Sequence, residues 1–215
     1  MMDVFIPLGG VQNNDYRELR YTLRAIEKHM SDVGRIFIAG NIPDWLVGVE
    51  ELRIDDIVGD ERGSVQKKLL AFCKVEDATE DFLFLHDDTL AVKNFSGAEL
   101  PFYSVQEGVG SLSNPLYFQV HTPVRYNRKM YAELFANPDN NKVDSPRAFY
   151  CNFFRAPATK IEEVVLRVGA GVKPFSAQIG DAPFFSLNDR TAGKNEFLAL
   201  MADLYPNPSR WELAE

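Results

Sequence analysis

At 215 residues, with 46% hydrophobic and 25% charged residues, the chain has the make-up of a globular protein with one substantial core. Its formal charge of −8 excludes a broad basic surface for duplex DNA or anionic lipid, so nucleic acid is not an expected partner and any positive charge used in binding must be local. No apolar run reaches the roughly 18 residues of a membrane span, and the N-terminus lacks a basic region followed by an apolar one, so no membrane span, no signal peptide and a cytoplasmic location are expected.

Along the chain, Val4-Phe5-Ile6 reads as a short strand that opens into the loop Pro7-Leu8-Gly9-Gly10. Asp15 stands three residues before Glu18, the spacing of a capping box. Leu19, Leu23, Ile26 and Met30 then follow at helical intervals, which predicts a helix over 16–30. Arg35 to Gly40 has the composition of a buried strand, and Leu52-Arg53-Ile54 reads as a weaker one. Val65, Leu69 and Phe72 give 64–75 helical periodicity. Phe82-Leu83-Phe84-Leu85 is a fully apolar strand ending on His86-Asp87-Asp88. This order predicts an α/β fold, a mostly parallel sheet with helices on both faces, in which ligands bind beyond the carboxyl ends of the strands. The second half is rich in aromatic pairs, with helices expected near 126–136, 160–168 and 194–204. One domain over 1–215 is expected.

Asp87 and Asp88 are the sharpest chemical feature. An Asp-Asp pair can be a solvated turn or a helix cap, but at the end of an apolar strand it also suits Mg²⁺ or Mn²⁺, which bind phosphate oxygens and stabilise a departing diphosphate. On the first helix Arg17, Arg20, Arg24 and Lys28 share the face opposite the apolar stripe. That face is either solvated or used for a phosphate lying over Leu8-Gly9-Gly10. The glycines have neither dinucleotide-binding nor P-loop spacing. His121, at the break of an apolar strand before Thr122-Pro123, is either a core histidine or a catalytic one. Cys73 and Cys151 read as buried thiols, and the histidines and cysteines show no zinc spacing.

Glu18-Leu19-Arg20-Tyr21-Thr22-Leu23-Arg24, Ile42-Pro43-Asp44-Trp45-Leu46, Phe82 to Asp88 and His121-Thr122-Pro123 together resemble blocks of the Stealth family of sugar-phosphate transferases, and of a compact glycosyltransferase-like group in bacteria and phages. His86 stands where that family has asparagine, and its N-terminal Y-T-W-V-D-G signature is absent. The resemblance implies a Rossmann-like fold of the GT-A type, with a nucleotide-binding half (1–90) and an acceptor-side half (91–215). It implies a nucleotide-sugar donor and a glycan or other hydroxyl acceptor. Asp87 and Asp88 would bind metal and diphosphate, and Leu8, Gly9, Gly10, Arg20 and Arg24 the nucleotide. Arg147 and Asn188 would contact phosphate or acceptor, and His121 with Asp189 would act on the acceptor side. A nucleotidyltransferase and a non-catalytic sugar-binding module are the alternatives.

Overall fold

The computed structural model describes residues 1–9, 16–100, 103–105, 122–142, 146–154, 158–160, 164–168, 172–187 and 189–213. The first half alternates strands and helices: β1 (Met2–Pro7), α1 (Arg17–His29), β2 (Val33–Ala39), β3 (Glu50–Leu52), α2 (Glu61–Phe72), β4 (Asp81–Phe84) and β5 (Thr89–Ala91). Beyond these come β6 (Tyr103–Val105), β7 (Val124–Asn127), α3 (Arg128–Phe135), α4 (Pro146–Phe153), β8 (Ala158–Lys160) and β9 (Val164–Val165). Last are α5 (Phe175–Ile179), β10 (Phe184–Ser186), α6 (Asp189–Ala192) and α7 (Asn195–Leu204).

The main sheet has the order β3-β2-β1-β4-β7, with β7 antiparallel to β4 and the other pairs parallel. Its two faces are chemically distinct, because successive side chains alternate across a strand. Val4, Ile6, Ile36, Ile38, Leu83 and Leu85 pack with Leu19, Leu23 and Ile26 of α1. Phe5, Phe37, Phe82, Phe84 and Tyr126 pack with Phe72 of α2 and Tyr131 of α3. One face is thus aliphatic and the other aromatic. A smaller sheet, β5-β10-β9, pairs the strand that follows Asp88 with residues almost a hundred positions later, and its core includes Phe184, Phe185, Phe197 and Met201. Strands β6 and β8 form a separate parallel pair.

Several expectations shift. The first helix has Tyr16 at its N-cap position, with a φ of 52° in the left-handed region, and Glu18 is buried within the helix; the expected cap Asp15 lies outside the described residues. The third strand is Glu50–Leu52, two residues earlier than read. Where 160–168 was expected to be helical, Ala158–Lys160 and Val164–Val165 are strands. Val164 and Val165 are β-branched and pair beside β10, so tertiary pairing outweighs the local periodicity. Cys73 and Cys151 are buried free thiols, and burial pushes both up to about 12. Among the described residues no helix is long and apolar enough to cross a membrane.

Candidate active site

A cleft of about 1080 Å³ opens at the carboxyl ends of β1 and β4. Pro7, Leu8 and Gly9 form one edge, Phe84, His86 and Asp87 another, and residues 56–69 of the loop before α2 and of α2 itself a third. Tyr126 of β7, Tyr131 of α3 and Arg147 of α4 complete it. Clefts at this end of parallel strands are where open α/β sheets bind ligands.

The edges are held by specific bonds. Leu8 N–H donates to Ala39 O (2.8 Å), so the chain leaving β1 still follows β2. The Tyr16 hydroxyl donates to Gly9 O (3.4 Å). Burial pushes the Tyr16 phenol above its ordinary 10.0; a hydrogen bond with Asn41 opposes this, and the charges of Asp87 and Asp56 add to the rise. The turn that carries the acidic pair is pinned from α1, where the buried Thr22 hydroxyl donates to Asp87 O at 2.7 Å. Thr89 N–H closes the same turn on His86 O at 3.3 Å.

Two cations in the lining were weighed differently by the sequence. Arg147 is buried; it lies over the Phe84 ring (5.1 Å), and its Nη2 is 2.9 Å from His86 Nε2. A guanidinium can only donate, so Nε2 of His86 is the acceptor in this contact and its ring proton belongs on Nδ1. His86 therefore positions an arginine on the cleft wall. Lys68 was not singled out. Its side chain is fully buried, and its ammonium donates to Leu8 O (2.5 Å) and to the Asp56 carboxylate. A signal was available: Lys68 occupies the i+3 place between Val65 and Leu69, on the apolar stripe itself, where a lysine must find buried partners.

Leu8, Gly9, Asp87 and Arg147 thus meet at one cleft. Asp88 is next in the turn and half-buried, outside the cleft lining. Arg20 and Arg24 are placed differently from the phosphate-binding expectation. Both point to Glu212: Arg24 Nε and Nη2 lie 2.8 and 2.7 Å from its two oxygens, and Arg20 Nη1 3.3 Å away. Arg20 also stacks on Trp45 at 4.0 Å. Their helix face is covered by the C-terminal segment, and neither lines the cleft. Gly10, His121 and Asn188 lie outside the described residues, as does the side chain of Asp189, whose backbone opens α6.

Among the described residues no three His, Cys, Asp or Glu side chains cluster as a closed metal cage. Mg²⁺ does not need one. It is commonly held by one or two carboxylates together with substrate phosphates and water, and of the adjacent acidic pair Asp87 is the one on the cleft wall.

No protein-family model matches the chain. The fold is that of GT-A glycosyltransferases. A structure of an active-site mutant of LgtC superposes with a TM-score of 0.56 at 9% identity, covering 97% of this chain and 98% of that one. A second, of the galactosyltransferase LgtC in complex with donor and acceptor sugar analogs, gives 0.53 at 12% identity over 98% and 99%.

Proposed function

We propose that the chain transfers a sugar or sugar phosphate from a nucleotide sugar to a hydroxyl acceptor, in the manner of a Stealth-like member of this fold. The observation that carries the reading is the place of Asp87: on the wall of a large cleft, at the carboxyl end of β4 and beside the end of β1. The LgtC likeness over nearly the whole chain supports a transferase fold, and that protein binds donor and acceptor sugar analogs.

On this reading the donor's phosphates lie between the Leu8-Gly9 backbone and the Asp87–Asp88 turn. Among the described residues nothing stands within 4 Å of where a Gly9 side chain would begin, so none of them covers the backbone there. Asp87 and Asp88 would hold Mg²⁺ or Mn²⁺, which when bound would offset the charge of the departing diphosphate. Thr22 fixes the backbone of the turn that carries these carboxylates. Lys68 keeps the Leu8 carbonyl and the Asp56 loop in place, and Arg147 offers a fixed positive charge. His121 and Asp189 are assigned to the acceptor side, where a neutral imidazole can take the proton of the attacking hydroxyl. Arg20 and Arg24 are left to Glu212.

Incubation with a panel of nucleotide sugars and analysis of the nucleotide released is the direct test. A nucleoside diphosphate means sugar transfer and a monophosphate sugar-phosphate transfer; pyrophosphate-dependent nucleotide exchange would replace this reading with nucleotidyl transfer. Calorimetry with UDP and Mg²⁺ should show metal-dependent affinity that falls at least tenfold in Asp87→Asn. Equal affinity in that variant removes Asp87 from the donor site.

A further inference from the structure

Most buried tyrosine hydroxyls here have a structural task. Tyr16 donates to Gly9 O, Tyr150 accepts from Asn127 N–H (3.1 Å), and Tyr205 donates to Ala91 O. Tyr131 differs. Only 1% of it is exposed, yet it lines the inner wall of the cleft, and among the described residues its hydroxyl makes no hydrogen bond. Its ring is fixed by Phe135 (centroids 4.6 Å apart), Tyr126 (5.2 Å) and Tyr150 (5.6 Å, stacked), so the hydroxyl cannot swing away to find a partner. The ring is enclosed, but the oxygen is not one of the sealed polar atoms that lack a partner, so it opens on the cleft and its partner must come from there.

The surroundings narrow what that partner is. Arg147, held by His86 and Phe84, lines the same wall, and its positive charge acts on Tyr131. Burial keeps the Tyr131 phenol well above its ordinary 10.0, so it stays protonated and available as a donor. A phenol O–H and a guanidinium are both donors, and their complement is an acceptor-rich, negatively charged group.

We propose that the Tyr131 hydroxyl contacts substrate, and that with Arg147 it forms a specificity site for a phosphate oxygen on the β7–α3–α4 side of the cleft. The choice of phosphate rests on the transferase reading; the donor pair itself does not. Two sources present that chemistry, the donor's diphosphate and a phosphate carried by the acceptor.

The test combines melting temperature with calorimetry, because only the second should report a loss. Tyr131→Phe removes a hydroxyl that bonds no other group among the described residues, so the variant should melt close to the wild-type temperature. It should nevertheless bind the phosphate probe about ten- to hundredfold more weakly, as expected for one lost hydrogen bond to a charged group. Weakened UDP binding, with uridine unaffected, assigns the oxygen to the donor. Unchanged UDP binding with weakened uptake of inorganic phosphate by the UDP complex assigns it to the acceptor. Equal affinities for both probes, or a clear drop in melting temperature, overturn the proposal. Pyrophosphate alone separates it from the transferase reading. If wild type binds pyrophosphate in a Tyr131-dependent way but no nucleotide, the anion site stands while that reading falls; if it binds neither, both fall.

Discussion

Glu212, away from the cleft, is a heavily engaged carboxylate. It accepts from Arg24 in a two-pronged geometry, from Arg20, and from the Ser209 backbone and hydroxyl. Burial alone would raise its pKa, but the hydrogen bonds from Arg24 and Ser209 and the charge of Arg24 outweigh this and hold it below the ordinary 4.5. A carboxylate depressed in the folded state contributes stability that is present above its unfolded value and is lost as pH falls through the folded one. Urea unfolding between pH 7 and pH 3 should therefore show a loss of stability below about pH 4.5 that is smaller in Glu212→Gln. At pH 7 that variant should be less stable by about 3 kcal/mol, the low end for a broken buried pair, since both arginines keep some contact with water. An unchanged pH profile would mean that Glu212 is not the group titrating.

At the scale of elements, the end of β2 and the middle of α2 are built around one another. Gly40 has a φ of +131°, and a Cβ there would stand 2.9 Å from Leu8 O and 3.3 Å from Lys68 Nζ. The buried lysine, the Leu8 carbonyl and the glycine thus form one joint beneath the cleft edge. Gly40→Ala should cost about 1–3 kcal/mol in urea unfolding and should also weaken UDP binding, because relief of the clash must move Leu8. A variant that loses stability yet binds UDP as wild type does would show that the joint does not shape the site. The sequence made part of this legible. The apolar runs of β1, β2 and β4 announce buried strands whichever way the chain turns next, and the strand end marks Asp87. The joint itself was not legible, because Lys68 lies 60 residues from Leu8 and 12 from Asp56, beyond the reach of local spacing. The same limit explains the basic face of α1: Glu212 lies 188 residues from Arg24, so local spacing offered only solvent or ligand as partners. Tyr131 was hidden for another reason. With Leu134 and Phe135 it completes an ordinary apolar helix face, and nothing in that pattern tells a packed ring from a ring whose hydroxyl reaches a cleft.

Across the whole molecule, α1 serves two cores at once. Leu19, Leu23 and Ile26 pack on the main sheet, while Tyr21 and Ala25 pack with the core of the smaller one. The C-terminal segment seals the remaining side. Val47 N–H donates to Trp211 O at 2.9 Å and Leu213 N–H to Trp45 O at 2.8 Å, so this segment zips onto the loop after β2. Trp211 is buried in the aliphatic core that α1 shares with β1 and β4. This closure joins residues far apart in sequence and forms no part of the cleft, so its removal should separate stability from binding. Trp211→Ala should cost about 3–5 kcal/mol, as expected for an emptied buried indole site, with the urea midpoint lowered accordingly. At a temperature where the variant is still folded, UDP affinity should match wild type, because the turn holding Asp87 is pinned by Thr22 on the side of α1 away from Glu212. A fall in affinity parallel to the fall in stability would show that α1 transmits the state of the C-terminal segment to the acidic turn, and would make Thr22 the next residue to change.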